Sequence, residues 1–259
     1  MTSKSNISNS KSPHKAKATP AHKQLTLGRS LWITGDKAAL KTAIALDLAF
    51  SANTSTKFLN YFELPYKDPE PVFYFEGHDK EIDMQIVRDR IAVLERSRKG
   101  VRYETIFRKY PNSVALQSPN GPESLQANVE REEAKLCLLD HPRPAFPRSL
   151  SAYRFDRVFF RETLDRYAKC GEASKCTMAL VTLTGAWGHE ADEEFGEWAE
   201  TVIHLDSCER THRGIFALNL CIKEQSSERS FGLTIDQGWQ DQRLGGNWDV
   251  TVRAKKTKK

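Results

Sequence analysis

Leu31-Trp32-Ile33-Thr34-Gly35-Asp36-Lys37-Ala38-Ala39-Leu40-Lys41-Thr42, followed by Ala43-Ile44-Ala45-Leu46-Asp47-Leu48-Ala49-Phe50, is the stretch that decides the fold. It reads as a short apolar strand, a turn containing a glycine, and an apolar helix. Gly35 to Thr42 fits the pattern G-x-x-x-x-x-K-[ST]. A phosphate-binding loop needs backbone N–H groups aimed into a concavity at a helix N-terminus. It also needs a lysine for the β- and γ-phosphates and a hydroxyl for Mg²⁺. Lys41 and Thr42 supply those two groups. Leu40 stands where such loops carry a glycine, whose missing side chain lets the backbone approach phosphate closely. The relaxed pattern arises by chance in roughly one chain in ten of this length, given average residue usage. Its place between the first strand and the first helix is what gives it weight. The alternative is a plain βα turn with a surface lysine.

Working outward, Val72-Phe73-Tyr74-Phe75 reads as a second buried strand, and Lys80 to Lys99 as an amphipathic helix with Ile82, Ile86, Ile91 and Leu94 on one side. Pro119 to Glu133 reads as a loop and a helix. Leu136-Cys137-Leu138-Leu139 is a third strand, Arg157 to Cys170 a helix, and Thr177 to Thr182 a fourth strand. Apolar strands alternating with helices imply a parallel sheet covered on both faces. Thr201–Leu205, Ile215–Ile222, Phe231–Ile235 and Trp248–Val252 follow without intervening helices, joined in part by polar stretches at 223–230 and 237–247. They read as an antiparallel extension of the same sheet. The expected fold is α/β: a P-loop core with a parallel sheet and an antiparallel β-rich C-terminal extension.

Two further groups of residues bear on chemistry. Asp140 ends the third strand, where a carboxylate would hold Mg²⁺ through water. After the second strand comes Glu76-Gly77-His78-Asp79. Strand alternation sets Glu76 and His78 on one face, within reach of a terminal phosphate. Asp79 also reads as an ordinary helix cap ahead of Lys80-Glu81.

Length and composition bound the rest. The 259 residues suffice for a substantial core without disulfides or metals. Five cysteines, with no Cys-x-x-Cys pair, argue against a disulfide framework and a zinc ribbon. No apolar run is long enough to span a membrane, and no secretory leader is legible, so a cytoplasmic protein without a membrane partner is expected. The net charge is +5, but it is unevenly placed. Residues 1–30 hold six basic side chains and no acid, and residues 250–259 hold five and no acid, so residues 31–249 carry 5 minus 11, or −6. We read 1–27 as a disordered basic arm, 28–252 as the folded domain and 253–259 as a basic tail.

These pieces, in this order, resemble the RecA-like ATPases of the RepA and DnaB helicase type. The resemblance is carried by Leu40-Lys41-Thr42 with the helix after it, by Phe62-Glu63-Leu64-Pro65 before the second strand, and by Leu138-Leu139-Asp140-His141-Pro142. Phe195-Gly196-Glu197-Trp198-Ala199 and Gly245-Gly246-Asn247-Trp248 extend it into the last quarter. It implies ATP held by Gly35, Asp36, Lys37, Ala38, Ala39, Leu40, Lys41 and Thr42, with Mg²⁺ on Thr42 and Asp140. Glu76, His78 and Asp140 become the candidate catalytic residues. It further implies a homo-oligomeric ring such as a hexamer, with DNA contacted through the tails or the ring channel. A finger at Arg210 or Arg213 would reach a neighbour's nucleotide, and Thr182 would sense the γ-phosphate.

The sequence departs from that family at three of these places. Leu40 replaces a glycine, His78 stands where the family has glutamate, and Thr182 stands in a segment the family often makes histidine-rich. The departures point to slow hydrolysis, or to a nucleotide-binding assembly partner that has lost turnover. Two other readings compete: a basic-tailed DNA-binding protein in which the loop is incidental, and a small-molecule kinase using Arg143 and Arg148.

Overall fold

A computed structural model describes residues 23–36, 40–76, 89, 91–97, 108–111, 116, 118, 120–142, 146, 155–210, 215–236 and 248–254. Among them, nine strands form one sheet: β1 (Ser30–Gly35), β2 (Val72–Glu76), β3 (Arg108–Pro111), β4 (Leu136–Asp140), β5 (Thr177–Val181), β6 (Thr201–Arg210), β7 (Ile215–Glu224), β8 (Ser227–Asp236) and β9 (Asp249–Ala254). The helices are α1 (Lys41–Thr54), a helical stretch at 91–97 (α2), α3 (Gly121–Arg131), α4 (Arg157–Lys169) and α5 (His189–Trp198).

The spatial order is β3-β2-β4-β5-β1-β6-β7-β8-β9. The strands from β3 to β6 pair in parallel, and those from β6 to β9 pair antiparallel. The expected architecture is therefore the observed one. β1 and β4 are buried along their whole length because helices cover both faces. In β7 and β8 burial alternates instead, as in a sheet with one wet face.

Strand alternation divides the core in two. Leu31 and Ile33 of β1 face α1, together with Tyr74, Leu138, Ala179 and Val181. Trp32 faces the other way, onto Phe160, Tyr167, Phe195 and Trp198 of α4 and α5. α1 is apolar around its whole circumference and buried at every position except Thr42, because β-sheet residues, the 58–66 segment and the β7–β9 extension surround it. Leu25 and Leu27, inside the stretch expected to be an arm, are buried in this same core.

A carboxylate sits inside that core. Asp47 of α1 is fully buried. Its carboxylate accepts the Leu59 N–H at 2.8 Å and the Trp248 indole N–H at 2.7 Å. The Ser51 hydroxyl lies 3.3 Å away. A buried carboxylate survives only when its oxygens are satisfied in this way.

The structure departs from the sequence reading in several details. β3 and α5 were not expected. The 223–230 connection is mostly strand, because β7 and β8 run on to a two-residue turn at Gln225 and Ser226. Of the helix expected at 80–99, the described residues 89 and 91–97 are helical, with Leu94 buried. No described helix is long and apolar enough to cross a membrane.

Candidate nucleotide site

The site gathers at the C-terminal edge of the parallel strands. Gly35 ends β1 with φ 153°, and a Cβ there would lie 2.1 Å from the Leu205 carbonyl oxygen of β6. Only glycine fits between those strands. Asp36 follows, its N–H donating to the same Leu205 oxygen at 3.3 Å. Lys37, Ala38 and Ala39 lie outside the described residues.

Leu40 is the N-cap of α1, at φ 54° and ψ 28°. This is the left-handed region, which disfavours a residue carrying a Cβ by roughly 1–2 kcal/mol. The loop thus keeps the backbone form that suits glycine while holding leucine, whose side chain packs partly buried on the α1 core. No acidic residue lies in the first turn of α1.

Lys41 opens α1 and is 8% exposed. Its ammonium donates to the Asp36 carbonyl oxygen at 2.5 Å. Burial pushes its pKa below the ordinary lysine range, while the charges of Asp140 and Asp36 oppose the shift. Lys41 and Asp140 are therefore electrostatic neighbours, although β5 intervenes between β1 and β4. Thr42, the next residue, is half-buried.

Asp140 is 1% exposed. Its Oδ2 accepts the Tyr74 hydroxyl at 2.5 Å. Its Oδ1 accepts no hydrogen bond, and His141 Nε2 lies 3.5 Å from it. His141 itself sits at φ 54°, the tight turn that ends β4. A buried carboxylate oxygen that accepts no hydrogen bond, on the same sheet edge as a buried lysine, fits a site built for a cation and a polyphosphate together. Among the described residues no group of three His, Cys, Asp or Glu gathers as a metal cage.

The other expected residues fall as follows. Glu76 ends β2 as the register partner of Asp140, so the two Cα atoms are neighbours on the same edge. His78 lies outside the described residues, as do Arg213, Arg143 and Arg148. Arg210 ends β6 opposite Phe216, five residues beyond Leu205, the register partner of Gly35. Thr182 is 4% exposed and follows β5. Its hydroxyl oxygen accepts the Trp32 indole N–H at 2.8 Å, on the α5 side of the sheet. Closer to the loop, the hydroxyls of Thr34 and Thr184 lie 3.1 Å apart, and Thr184 N–H donates to the Gly35 carbonyl. Gly35, Lys41 and Asp140 are thus brought to one edge, with Glu76 beside Asp140 in register.

Tyr74 was not anticipated as a site residue. Its signal was faint: one hydroxyl in an apolar strand, and a buried tyrosine needs a partner. A cavity of about 420 Å³ opens at the opposite, N-terminal edge, among Arg29, Ser30, Lys169, Lys175 and Trp198. Its size does not make it the phosphate site, since the loop, the buried lysine and the orphaned carboxylate all lie at the other end of the strands.

Strand order and the helix after β1 define the fold: RecA-like, a mostly parallel α/β sheet with an antiparallel extension. A solved KaiC-like protein from the hyperthermophilic archaeon Pyrococcus horikoshii OT3 is similar at a TM-score of 0.50 and 16% identity, over 86% of this chain and 88% of that one. No protein-family model matches the sequence, and no curated protein matches it.

Proposed function

We propose that the chain binds ATP with Mg²⁺ at the C-terminal edge of its parallel sheet and hydrolyses it slowly. The observation that carries this reading is the placement of buried Lys41, at the start of α1 after β1, and buried Asp140, at the end of β4, on the same edge of the sheet. A lysine that costs energy to bury, beside a carboxylate with an unused oxygen, is stabilised by a ligand that brings both negative charge and a cation. In this reading the backbone from Gly35 to Leu40 cradles the phosphates. A terminal phosphate oxygen competes with the Asp36 carbonyl for the Lys41 ammonium. Thr42 and Asp140 hold Mg²⁺, which supplies charge neutralisation on the phosphates.

Glu76 is the proposed base that orients the attacking water, with His78 as its near neighbour in sequence. Thr182 follows the central strand β5 and serves as the sensor position. Slow turnover follows from leucine in the left-handed position of the loop and from histidine at position 78. By analogy with the helicase type, we further propose a homo-oligomeric ring in which Arg210 or Arg213 reaches a neighbour's nucleotide, acting on or near DNA through the basic ends.

The test is ATP binding by calorimetry and turnover by phosphate release. Lys41→Ala should weaken ATP binding at least tenfold, since charge-assisted hydrogen bonds are worth about 1.5–3 kcal/mol. Glu76→Gln should abolish turnover and spare binding. Undiminished binding in Lys41→Ala would remove the site assignment. Turnover that persists in Glu76→Gln would remove the proposed base.

A further inference from the structure

We propose that Tyr74 is a positioning residue of this site: its hydroxyl holds one oxygen of the Asp140 carboxylate so that the other alone is presented to the cation. The proposal rests on the nucleotide–Mg²⁺ reading above.

The geometry starts with strand register. Tyr74 pairs with Leu138 across β2 and β4, and Asp140 lies two residues beyond Leu138. Period-two alternation therefore sets the Tyr74 and Asp140 side chains on one face. The diagonal separation of such residues on neighbouring strands is within reach of an aromatic side chain. Tyr74 is fully buried, with its ring in the α1 core, so its hydroxyl has little freedom to leave. It donates to Asp140 Oδ2 at 2.5 Å, the separation of a charge-assisted O–H···O⁻ bond. Oδ1 is buried and accepts no hydrogen bond; His141 Nε2 is its polar neighbour, at 3.5 Å.

An untethered carboxylate can rotate and grip a cation with both oxygens. Ca²⁺ accepts that grip in its large, flexible shell, whereas Mg²⁺ demands near-octahedral geometry and keeps its waters. By holding Oδ2 through a hydrogen bond, Tyr74 disfavours the two-oxygen mode. It fixes the carboxylate in a single orientation and favours the smaller ion. The sequence alone did not reveal this, because the pair is 66 residues apart and meets only through the register of β2 with β4.

The experiment uses the full chain with a non-hydrolysable ATP analogue, and Mn²⁺ as a spectroscopic stand-in for Mg²⁺. Tyr74→Phe keeps the ring and deletes only the hydroxyl. Residues that orient metal ligands typically contribute 10- to 100-fold to metal affinity. Mn²⁺ affinity in the nucleotide complex, read from the free-ion paramagnetic resonance signal, should fall by about tenfold or more. Affinity for the analogue in EDTA should stay within about twofold, because the phosphate loop is untouched. The preference for Mg²⁺ over Ca²⁺ should narrow.

In an Asp140→Asn background the Tyr74→Phe effect on Mn²⁺ should disappear, because the tyrosine acts through the carboxylate. That cycle also separates positioning from general loosening, which would lower both affinities in either background. Unchanged Mn²⁺ affinity in Tyr74→Phe, equal losses with and without metal, or the same loss in the Asp140→Asn background would each overturn the proposal. Wild-type affinity for the analogue that is the same with Mn²⁺ as in EDTA would overturn the underlying reading, and this proposal with it.

Discussion

Leu40→Gly tests the phosphate loop most directly. Leu40 holds φ 54° and ψ 28°, a conformation that costs a leucine roughly 1–2 kcal/mol and glycine almost nothing. Against that gain stands the loss of a partly buried side chain. Full burial of leucine contributes about 1.5–3 kcal/mol, so a partly buried one contributes about half as much. The two terms nearly cancel, and the substitution should change unfolding free energy by no more than about 1 kcal/mol. Binding should respond differently. Removing the side chain lets the backbone at position 40 approach a phosphate oxygen, and one charge-assisted N–H···O bond is worth about 1.5–3 kcal/mol. The variant should bind ATP at least tenfold more tightly, read by calorimetry beside urea denaturation of the same preparation. Equal or weaker ATP binding, with stability preserved, would show that Leu40 does not obstruct the loop.

The remaining predictions concern the core and pH. Trp248→Phe removes the indole N–H that reaches the buried Asp47 carboxylate at 2.7 Å. A lost hydrogen bond to a buried charge should cost about 1.5–3 kcal/mol in urea unfolding; a change below about 0.5 kcal/mol would refute the clasp. Burial pushes the Cys137 thiol up to about 12 and the Cys170 thiol up to about 11, and raises Cys176 well above the ordinary range. The unfolded chain then sheds these protons first, so stability is complete below about pH 9 and falls above it. Cys137 and Cys176 each contribute up to about 1.4 kcal/mol per pH unit. Lys41, lowered by its own burial, has the opposite sign but is one group against three. Urea midpoints that stay level between pH 8 and 10.5 would contradict the burial of the thiols. For the same reason, iodoacetamide at pH 8 should leave Cys137, Cys170 and Cys176 unlabelled in the native protein, as read by mass spectrometry.

What the sequence made legible was local and contiguous. β1, the loop and α1 lie in one unbroken run, so pattern and spacing were enough to set Gly35, Lys41 and Thr42 at the junction of a strand and a helix. β4 and Asp140 were legible because four apolar residues ending in an acid make a self-contained signal. α5 was not legible, because a buried position of that helix holds Glu194, which becomes tolerable only when Arg157 and Arg161 of α4 reach it. β3 was not legible because Arg108-Lys109-Tyr110-Pro111 is polar and ends in proline, which suits an edge strand paired on one side only. The length of β7 and β8 was underestimated because their wet face carries the polar residues that resemble a loop. Tyr74 and Asp140 could be joined only by knowing a register, which composition does not encode.

The contact between Asp47 and Trp248 spans 201 residues. A chain emerging from the ribosome therefore presents α1, with its carboxylate, long before the indole that satisfies it exists. Until that segment arrives, the helix that carries Lys41 must keep Asp47 either wet or unpaired, and neither state permits the fully buried packing of the finished fold. The buried packing of α1 is accordingly completed late in synthesis, when the segment that leads into β9 closes over a helix whose Asp47 was made 201 residues earlier.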